Sequence, residues 1–384
     1  MMICTLNKVK GMSVYMKILV ADLGACGVNY QVQYLTDELS ENFELTNDFK
    51  SADVIVMIGG CCCTESNLKN SLNFINYILE NKKYEAITYL TGCIVRPFKD
   101  IPELQSIQRY LKDNIDYIVD YYNLNQLLKL INDDITLSND ADSYGMYYWN
   151  GRDAASFFIQ NGCSHKCSFC KTNYLNFNLK DAPFENIIEK INSIDKNGIK
   201  KVELRGLNLS QYGLDMYHDY RLMDICEYIE EKTNVKSITL SGFSFSDAIN
   251  AGFADRMKYF KKKYIINGSL ESGSNRILEL MNKGFTQEEF LRFYSEVNSI
   301  YRKDFYLNII SGFPTETVDD CHETIEVLKQ VRPKIVNINT YLDSEFIPSH
   351  NLEQLSDKEI SKHTKIYMKG LRNSFIRYKV NGGN

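Results

Sequence analysis

Ala155-Ser-Phe-Phe-Ile-Gln160, followed at once by Asn161-Gly-Cys163-Ser-His-Lys-Cys167-Ser-Phe-Cys170, is the stretch on which the reading of this chain turns. Its first six residues are mostly apolar and β-prone and read as a strand, and Gly162 marks the turn that ends it. Past the turn, three cysteines stand at x3 and x2 spacing on one short loop. Thiolates so placed can hold three irons of a 4Fe-4S cluster and leave the fourth iron without a protein ligand. The amino and carboxylate groups of S-adenosylmethionine can chelate that open iron, so that one electron cleaves a carbon–sulfur bond and releases a 5′-deoxyadenosyl radical. A zinc knuckle completed by His165 or a distant ligand is the competing reading, but no second ligand pair stands at zinc-finger spacing.

Outward from this loop, β-rich apolar runs alternate with amphipathic stretches, the signature of strand-helix units around parallel sheets. Downstream, strands are expected at Ala155–Gln160, Lys201–Arg205, Ser237–Ser241, Tyr264–Ser269, Phe305–Ser311 and Lys334–Tyr341. Helices between them are expected at Phe184–Ile194, Leu222–Glu231, Gln287–Asn298 and Val318–Val331. Six such units curl into a partial barrel, short of the eight in a closed one, and place the cysteine loop where barrel active sites form, at the carboxyl ends of strands. Upstream, strands at Lys17–Ala21, Asp53–Ile58 and Ala86–Leu90 alternate with helices at Asn29–Ser40 and Glu65–Leu79, a small open sheet. The fold class is therefore α/β: an N-terminal open parallel α/β sheet domain (17–131), a polar linker (132–152), a partial (β/α)6 barrel (153–341) and a helical C-terminal tail (342–384) with one helix over Ser356–Tyr378.

The upstream sheet carries a second set of cysteines. Gly24-Ala25-Cys26, Gly59-Gly60-Cys61 and Thr91-Gly92-Cys93 each follow a strand, at separations of 35 residues (26 to 61) and 32 (61 to 93), about one βα unit. Parallel strands deliver all three to one edge, where ligands of open α/β sheets sit, and the glycines let backbone approach a bulky inorganic ligand. A second three-thiolate cluster is expected there; the competing reading is three small thiols buried in tight turns. Cys62 and Cys63 read as bystanders, and Cys4, Cys226 and Cys321 as structural. His218, His322, His350 and His363 show no metal spacing.

Composition narrows the class. A chain of 384 residues with 44% hydrophobic and 24% charged residues reads as globular, and no apolar run is long enough to span a bilayer. Eleven cysteines without an export signal point to a reduced, cytoplasmic setting and partial metal occupancy. Net charge −5 and a pI near 5.7 argue against a chain built to coat nucleic acid.

With both cysteine sets in hand, the chain resembles the radical-SAM methylthiotransferase family over about Lys17 to Tyr341. Beyond the cysteines, the resemblance rests on Gly206-Leu-Asn-Leu-Ser-Gln-Tyr-Gly213, Ser272-Gly-Ser-Asn-Arg276 and Gly312-Phe-Pro-Thr-Glu-Thr317. It implies a radical cluster at Cys163, Cys167 and Cys170, and an auxiliary cluster at Cys26, Cys61 and Cys93 that handles sulfur. Two molecules of S-adenosylmethionine would be consumed, one giving the methyl group and one the radical. There are departures: Asn267-Gly-Ser-Leu-Glu271 stands where the family has His-Leu-Pro-x-Gln, Asn308 where an Asp is common, and no RNA-binding β-barrel module is legible after Tyr341.

The expected activity is insertion of a methylthio group at an unactivated C–H bond, with both clusters facing one dry cavity so that carbon radical meets sulfur before it is quenched. Phe169, Gly206, Ser241 and Glu271 are the expected S-adenosylmethionine contacts. Acidic balance and the missing module favour a peptide or protein substrate over tRNA. Lys362, Lys365, Lys369, Arg372, Arg377 and Lys379 near the C-terminus keep a tRNA nucleoside as the alternative. An electron donor such as flavodoxin or ferredoxin is implied. Sulfur insertion without methylation and a non-catalytic Fe-S electron-transfer role are the remaining readings.

Overall fold

The computed structural model describes residues 16–24, 29–60, 65–95, 102–119, 124–131, 147–150, 154–170 and 179–381. They form two compact units, Met1–Ala141 and Asp142–Asn384.

The first unit is an all-parallel five-stranded sheet. Its strands are β1 (Lys17–Asp22), β2 (Glu44–Leu45), β3 (Val54–Ile58), β4 (Ile87–Thr91) and β5 (Tyr117–Ile118), in the spatial order β2-β1-β3-β4-β5. The Val-Ile-Val-Met-Ile run of β3 is buried throughout, as a central strand covered on both faces must be. Helices α1 (Asn29–Ser40), α2 (Glu65–Asn81), α3 (Pro102–Asn114) and α4 (Leu124–Ile131) connect and cover it. The three expected strands and two expected helices are present. The short edge strands β2 and β5 have no periodic signal in the sequence, because two residues carry none.

The second unit holds one large sheet. Its strands are β6 (Tyr147–Asn150), β7 (Ala154–Asn161), β8 (Lys180–Asp181), β9 (Lys201–Gly206), β10 (Ser237–Phe243), β11 (Lys263–Glu271), β12 (Asp304–Ser311), β13 (Ile335–Thr340) and β14 (Tyr378–Asn381). The order is β14-β13-β12-β11-β10-β9-β7-β6, with β8 added to β7. The six expected strands lie side by side in chain order and parallel. The sheet stays open, ending at β14 and at the antiparallel β6. Its helices are α5 (Phe184–Lys196), α6 (Leu222–Lys232), α7 (Phe245–Asn250), α8 (Phe253–Met257), α9 (Asn275–Leu280), α10 (Gln287–Val297), α11 (Val318–Val331) and α12 (Asp357–Asn373). Capping boxes at Thr286/Glu289, Thr317/Asp320 and Ser356/Glu359 start α10, α11 and α12 by satisfying their first free N–H groups.

Alternation along the strands sorts the two faces. Phe157, Leu204, Leu240, Ile266, Leu307 and Ile338 enter the helix-side core. Their neighbours along each strand, Ser156, Glu203, Ser241, Asn267, Asn308 and Asn337, project to the opposite face, which is polar. Two segments differ from expectation. Tyr147–Asn150, read as linker, pairs with β7. The tail helix stops at Asn373, and Tyr378–Asn381 forms a strand parallel to β13. Phe375 at φ 56 breaks the helical path between them. Among the described residues no helix is long and apolar enough to cross a membrane.

Candidate functional site

The cysteine loop leaves β7 through a turn that Gln160 builds: its side chain donates to the carbonyls of Asn161 and Gly162, both at 2.9 Å, and accepts from Asn208 N at 2.8 Å. One flank of the loop is tied to Asp247, in the first turn of α7. Its carboxylate meets His165 Nε2 at 2.7 Å and accepts from Asn208 Nδ2 at 2.9 Å, Gln211 Nε2 at 3.1 Å and Tyr220 OH at 3.3 Å. Gln211 also donates to Ser164 Oγ at 2.7 Å. Burial alone would raise the Asp247 carboxyl, but the His165 bond and those from Asn208 and Ser244 outweigh it and hold it at about 2. The other flank is gripped at Ser168, whose N–H reaches Met281 O at 3.0 Å and whose Oγ reaches Leu280 O at 2.7 Å. Ser349 donates to Ser168 O through both N–H (3.1 Å) and Oγ (3.0 Å).

Cys163, Cys167 and Cys170 are all half-buried on this braced loop. Asn208 Nδ2 donates to Cys163 Sγ at 3.4 Å. Burial pushes the Cys163 thiol up, against the Asn208 bond, and pushes Cys167 up to about 11. Thiols held this high are poor nucleophiles, whereas a bound cation deprotonates them. Among the described residues, the one group of three ligand atoms all within 4.8 Å of one another is Glu316, Cys321 and His363, so the three sulfurs of the loop do not form so tight a set. Tetrahedral zinc with Zn–S bonds of about 2.3 Å needs its sulfurs roughly 3.8 Å apart. Three thiols on one short loop, without a fourth protein ligand in the set among the described residues, are the donors that a 4Fe-4S group with one open iron takes. Asn208 Oδ1 is buried beside the loop without a hydrogen-bond partner, an acceptor with nothing yet to accept.

The expected S-adenosylmethionine contacts fall around this edge with different duties. Phe169 packs beside Ile277, Ile310 and Phe313, with Lys283 Nζ 5.9 Å from its ring centre. Gly206 ends β9; a Cβ there would sit 2.8 Å from Gln160 Oε1, so the position is a close approach of chain segments. Gly242 is tighter: its φ is 82, and Gly206 O lies 2.1 Å from where a Cβ would stand, which excludes any side chain. Ser241 donates to Glu203 Oε1 at 2.6 Å, and Ser156 donates to the same carboxylate at 3.2 Å. Glu271 is buried at φ 66, with Lys283 Nζ at 3.9 Å; burial raises its carboxyl and Lys283 opposes the rise. A non-glycine residue in this conformation at the rim of a site is strain of the kind functional edges hold. The two departures from the family pattern meet: Asn308 Nδ2 lies 3.4 Å from Asn267 Oδ1, and Asn337 Nδ2 donates to Asn308 Oδ1 at 3.0 Å.

In the first unit, β1, β3 and β4 are direct neighbours, so the segments after them leave from one edge. Cys93 is half-buried in the turn after β4. Gly92 has φ 137, and a Cβ there would fall 1.8 Å from Gly59 O, which fixes the β3 and β4 exits against each other. Thr91 Oγ1 is buried and unpartnered at this edge. Cys26, Cys61, Cys62 and Cys63 lie outside the described residues.

In the sequence Asn208 and Gln211 stand within a motif but have no evident duty, and no local pattern marks Asp247 or Lys283. Cys321 and His363 read there as unrelated residues without metal spacing, yet they converge with Glu316. Glu316 accepts from Gly312 N and Tyr367 OH, each at 2.8 Å, and pairs with His363 Nδ1 at 2.9 Å. That carboxylate is already satisfied by protein groups, so the cluster reads as a clasp for α12 and not as a vacant metal site.

Residues 157–328 match the model of the radical SAM superfamily. The chain is 28% identical over 371 residues, 93% of its own length and 88% of the relative's, to a threonylcarbamoyladenosine tRNA methylthiotransferase of Aquifex aeolicus. It is 26% identical over 339 residues, covering 84% and 74%, to a ribosomal protein uS12 methylthiotransferase of Clostridioides difficile. Among solved structures, a radical S-adenosylmethionine methyltransferase from Kitasatospora setae superposes with a TM-score of 0.57 at 13% identity, over 87% of this chain and 75% of that one, a likeness of fold.

Proposed function

Because the chain belongs to the radical-SAM methylthiotransferase family, we propose that Cys163, Cys167 and Cys170 hold a 4Fe-4S cluster that serves C–H methylthiolation of a tRNA nucleoside. A second cluster, at Cys26, Cys61 and Cys93, completes the proposal. When bound, the first group supplies reductive cleavage of S-adenosylmethionine, and hence the radical that activates the substrate C–H bond. The protein's part is placement. Asp247, through His165, Asn208 and Gln211, fixes the loop; Ser168 and Ser349 fix its far side; Asn208 donates to a ligand sulfur. Glu203 with its two serines, and the Asn267–Asn308–Asn337 amides, give the inner sheet face groups suited to hydrogen-bonding a base edge.

The observation that carries the chemistry is the braced loop that presents three half-buried thiols at x3 and x2 spacing. For substrate, similarity along nearly the whole chain to a tRNA-acting relative supports a nucleoside. The expectation of a peptide draws on the average charge, which conceals a local basic surface. Similarity to the ribosomal-protein relative keeps a protein side chain as the second reading. In an anaerobically reconstituted protein, changing Cys163, Cys167 and Cys170 together to Ala is expected to remove about half of the iron and all 5′-deoxyadenosine formation. Unchanged iron would overturn the assignment. Changing Cys26, Cys61 and Cys93 is expected to stop sulfur transfer while some S-adenosylmethionine cleavage persists. Mass analysis of tRNA nucleosides and of a protein extract then decides the substrate.

A further inference from the structure

Helix α12 has two unlike faces. His363, Tyr367 and Leu371 are buried against the barrel, and Gly370 sits so close to Ile325 that a Cβ would come within 2.6 Å of it. The outer face carries Lys358, Lys362, Lys365, Lys369 and Arg372, all exposed. Their spacing of 4, 3, 4 and 3 residues puts them on one stripe, about 21 Å long at about 1.5 Å per residue. None of the five forms an ion pair among the described residues. The nearest acid, Glu359, is engaged by Ser356 in the capping box. Between Asp357 and Asn381 seven Lys and Arg stand against Asp357 and Glu359, a balance of +5 in a chain whose total is −5, so the remainder carries −10.

A solvated helix normally mixes signs at these spacings, since like charges at i,i+4 cost about 0.2–0.5 kcal/mol per pair. Here four successive neighbours repel. A cavity of about 790 Å³ runs along the stripe, lined by Lys358, Lys362, Lys365 and Lys369, with the one carboxylate, Glu359, at its start beside Ser356. Just past the helix, Phe375 is 97% exposed. It lies at a second cavity, of about 510 Å³, with Arg372, Arg377, Tyr378 and Lys379. An aromatic ring bared between cations is the arrangement on which unpaired bases stack.

The stripe also points somewhere. Gly312 leaves the carboxyl end of β12 against Ile360, in the first turns of α12. Ser349, in the segment before that helix, holds the cysteine loop through Ser168. The cations therefore begin on the side of the barrel that carries the candidate radical centre and run down its outer wall. We propose that this face of α12, with Phe375 beyond it, docks the phosphate backbone of the RNA substrate and leads one nucleoside to the cysteine-loop edge. The inference rests on the tRNA reading above.

The test compares the full chain with a Lys358→Gln, Lys362→Gln, Lys365→Gln, Lys369→Gln variant and with Phe375→Ala, measuring binding of total tRNA by fluorescence anisotropy between about 50 and 200 mM salt. 5′-Deoxyadenosine formation without substrate reports an intact radical centre. Losing four phosphate contacts is expected to reduce the slope of log affinity against log salt by about 3, and to weaken binding at the lowest salt at least tenfold. Phe375→Ala is expected to weaken it about fivefold with the slope unchanged. A quadruple variant that binds tRNA like the parent and forms methylthio-nucleoside at the same KM overturns the docking surface and leaves the tRNA reading intact. A parent that neither binds nor modifies tRNA but modifies a protein overturns both. Tight, lysine-dependent binding of polyglutamate with no tRNA binding assigns the stripe to an acidic polypeptide and also overturns the proposal.

Discussion

Two buried networks in the barrel unit are built from nearly the same side chains and serve opposite ends. One gathers His165, Tyr220 and, through Asn208, Cys163 around Asp247. The other gathers His363 and Tyr367 around Glu316, with Cys321 beside them. The Glu316 network is closed: Gly312 N, His363 and Tyr367 OH all find the carboxylate, the thiol is fully buried, and the result is α12 fastened to the barrel. The Asp247 network is open: its thiol is half-exposed on a loop, and Asn208 Oδ1 is left with no partner. A buried polar network that satisfies itself is structure. One that leaves an acceptor free can still take a further donor.

Removing the closed network's centre should cost stability and little else. Glu316→Ala leaves His363, Tyr367 OH and Gly312 N without their acceptor, and is expected to destabilise the barrel by about 3 kcal/mol or more, at about 1–3 kcal/mol for each buried group left unsatisfied. Circular dichroism in a denaturant titration reads the loss. S-adenosylmethionine cleavage per folded molecule should stay near the parent's. A large loss of cleavage at full folding would make Glu316 part of the site and erase the distinction.

The open network should answer the other way. Asp247→Asn keeps the shape but turns an acceptor into a donor facing Asn208 and His165. About 1–3 kcal/mol of stability is expected to go, the cost of an unsatisfied buried group. The larger consequence should be in function: at unchanged iron content, 5′-deoxyadenosine formation is expected to fall at least tenfold as the loop loses its brace. Equal rates in variant and parent would mean that Asp247 only fills space.

The contrast also shows how much of the molecule is legible in its sequence. Strand positions and the cysteine loop are local patterns, and the six parallel strands of the barrel lie within a residue or two of expectation. Asp247 and His165 are 82 residues apart, and Glu316 and His363 are 47 apart. No periodicity or spacing links such pairs; only the winding of successive βα units brings them together. For the same reason Asn267 and Asn308 read as two separate departures, while they are diagonal neighbours on adjacent strands, with Asn267 paired to Tyr306 and Asn308 to Ser269. The tail strand β14 begins at Tyr378, where the expected helix ends, and its four residues after a strongly amphipathic run are too few to show a strand's alternation.

Asp181 supplies the smallest and most discriminating test, because it is an open carboxylate that belongs to neither network. It is buried, accepts from Gly213 N at 2.9 Å and Asp215 N at 3.0 Å, and has its Oδ1 unpartnered. Burial raises its carboxyl to about 6, against the pull of those backbone bonds. With the folded value above the unfolded one, the native state holds the extra proton between about pH 4 and 6. Its contribution to stability is thus fully present below about pH 4 and lost as pH rises through 6, the reverse of a carboxylate held in an ion pair. The stability difference between parent and Asp181→Asn is expected to shift in the parent's favour by on the order of 1 kcal/mol as pH falls from about 6.5 to about 4.5, after allowance for partial solvation. A difference that is flat across that window would show the unpartnered oxygen to be hydrated, and an orphaned atom would then be too weak a sign to separate open networks from closed ones.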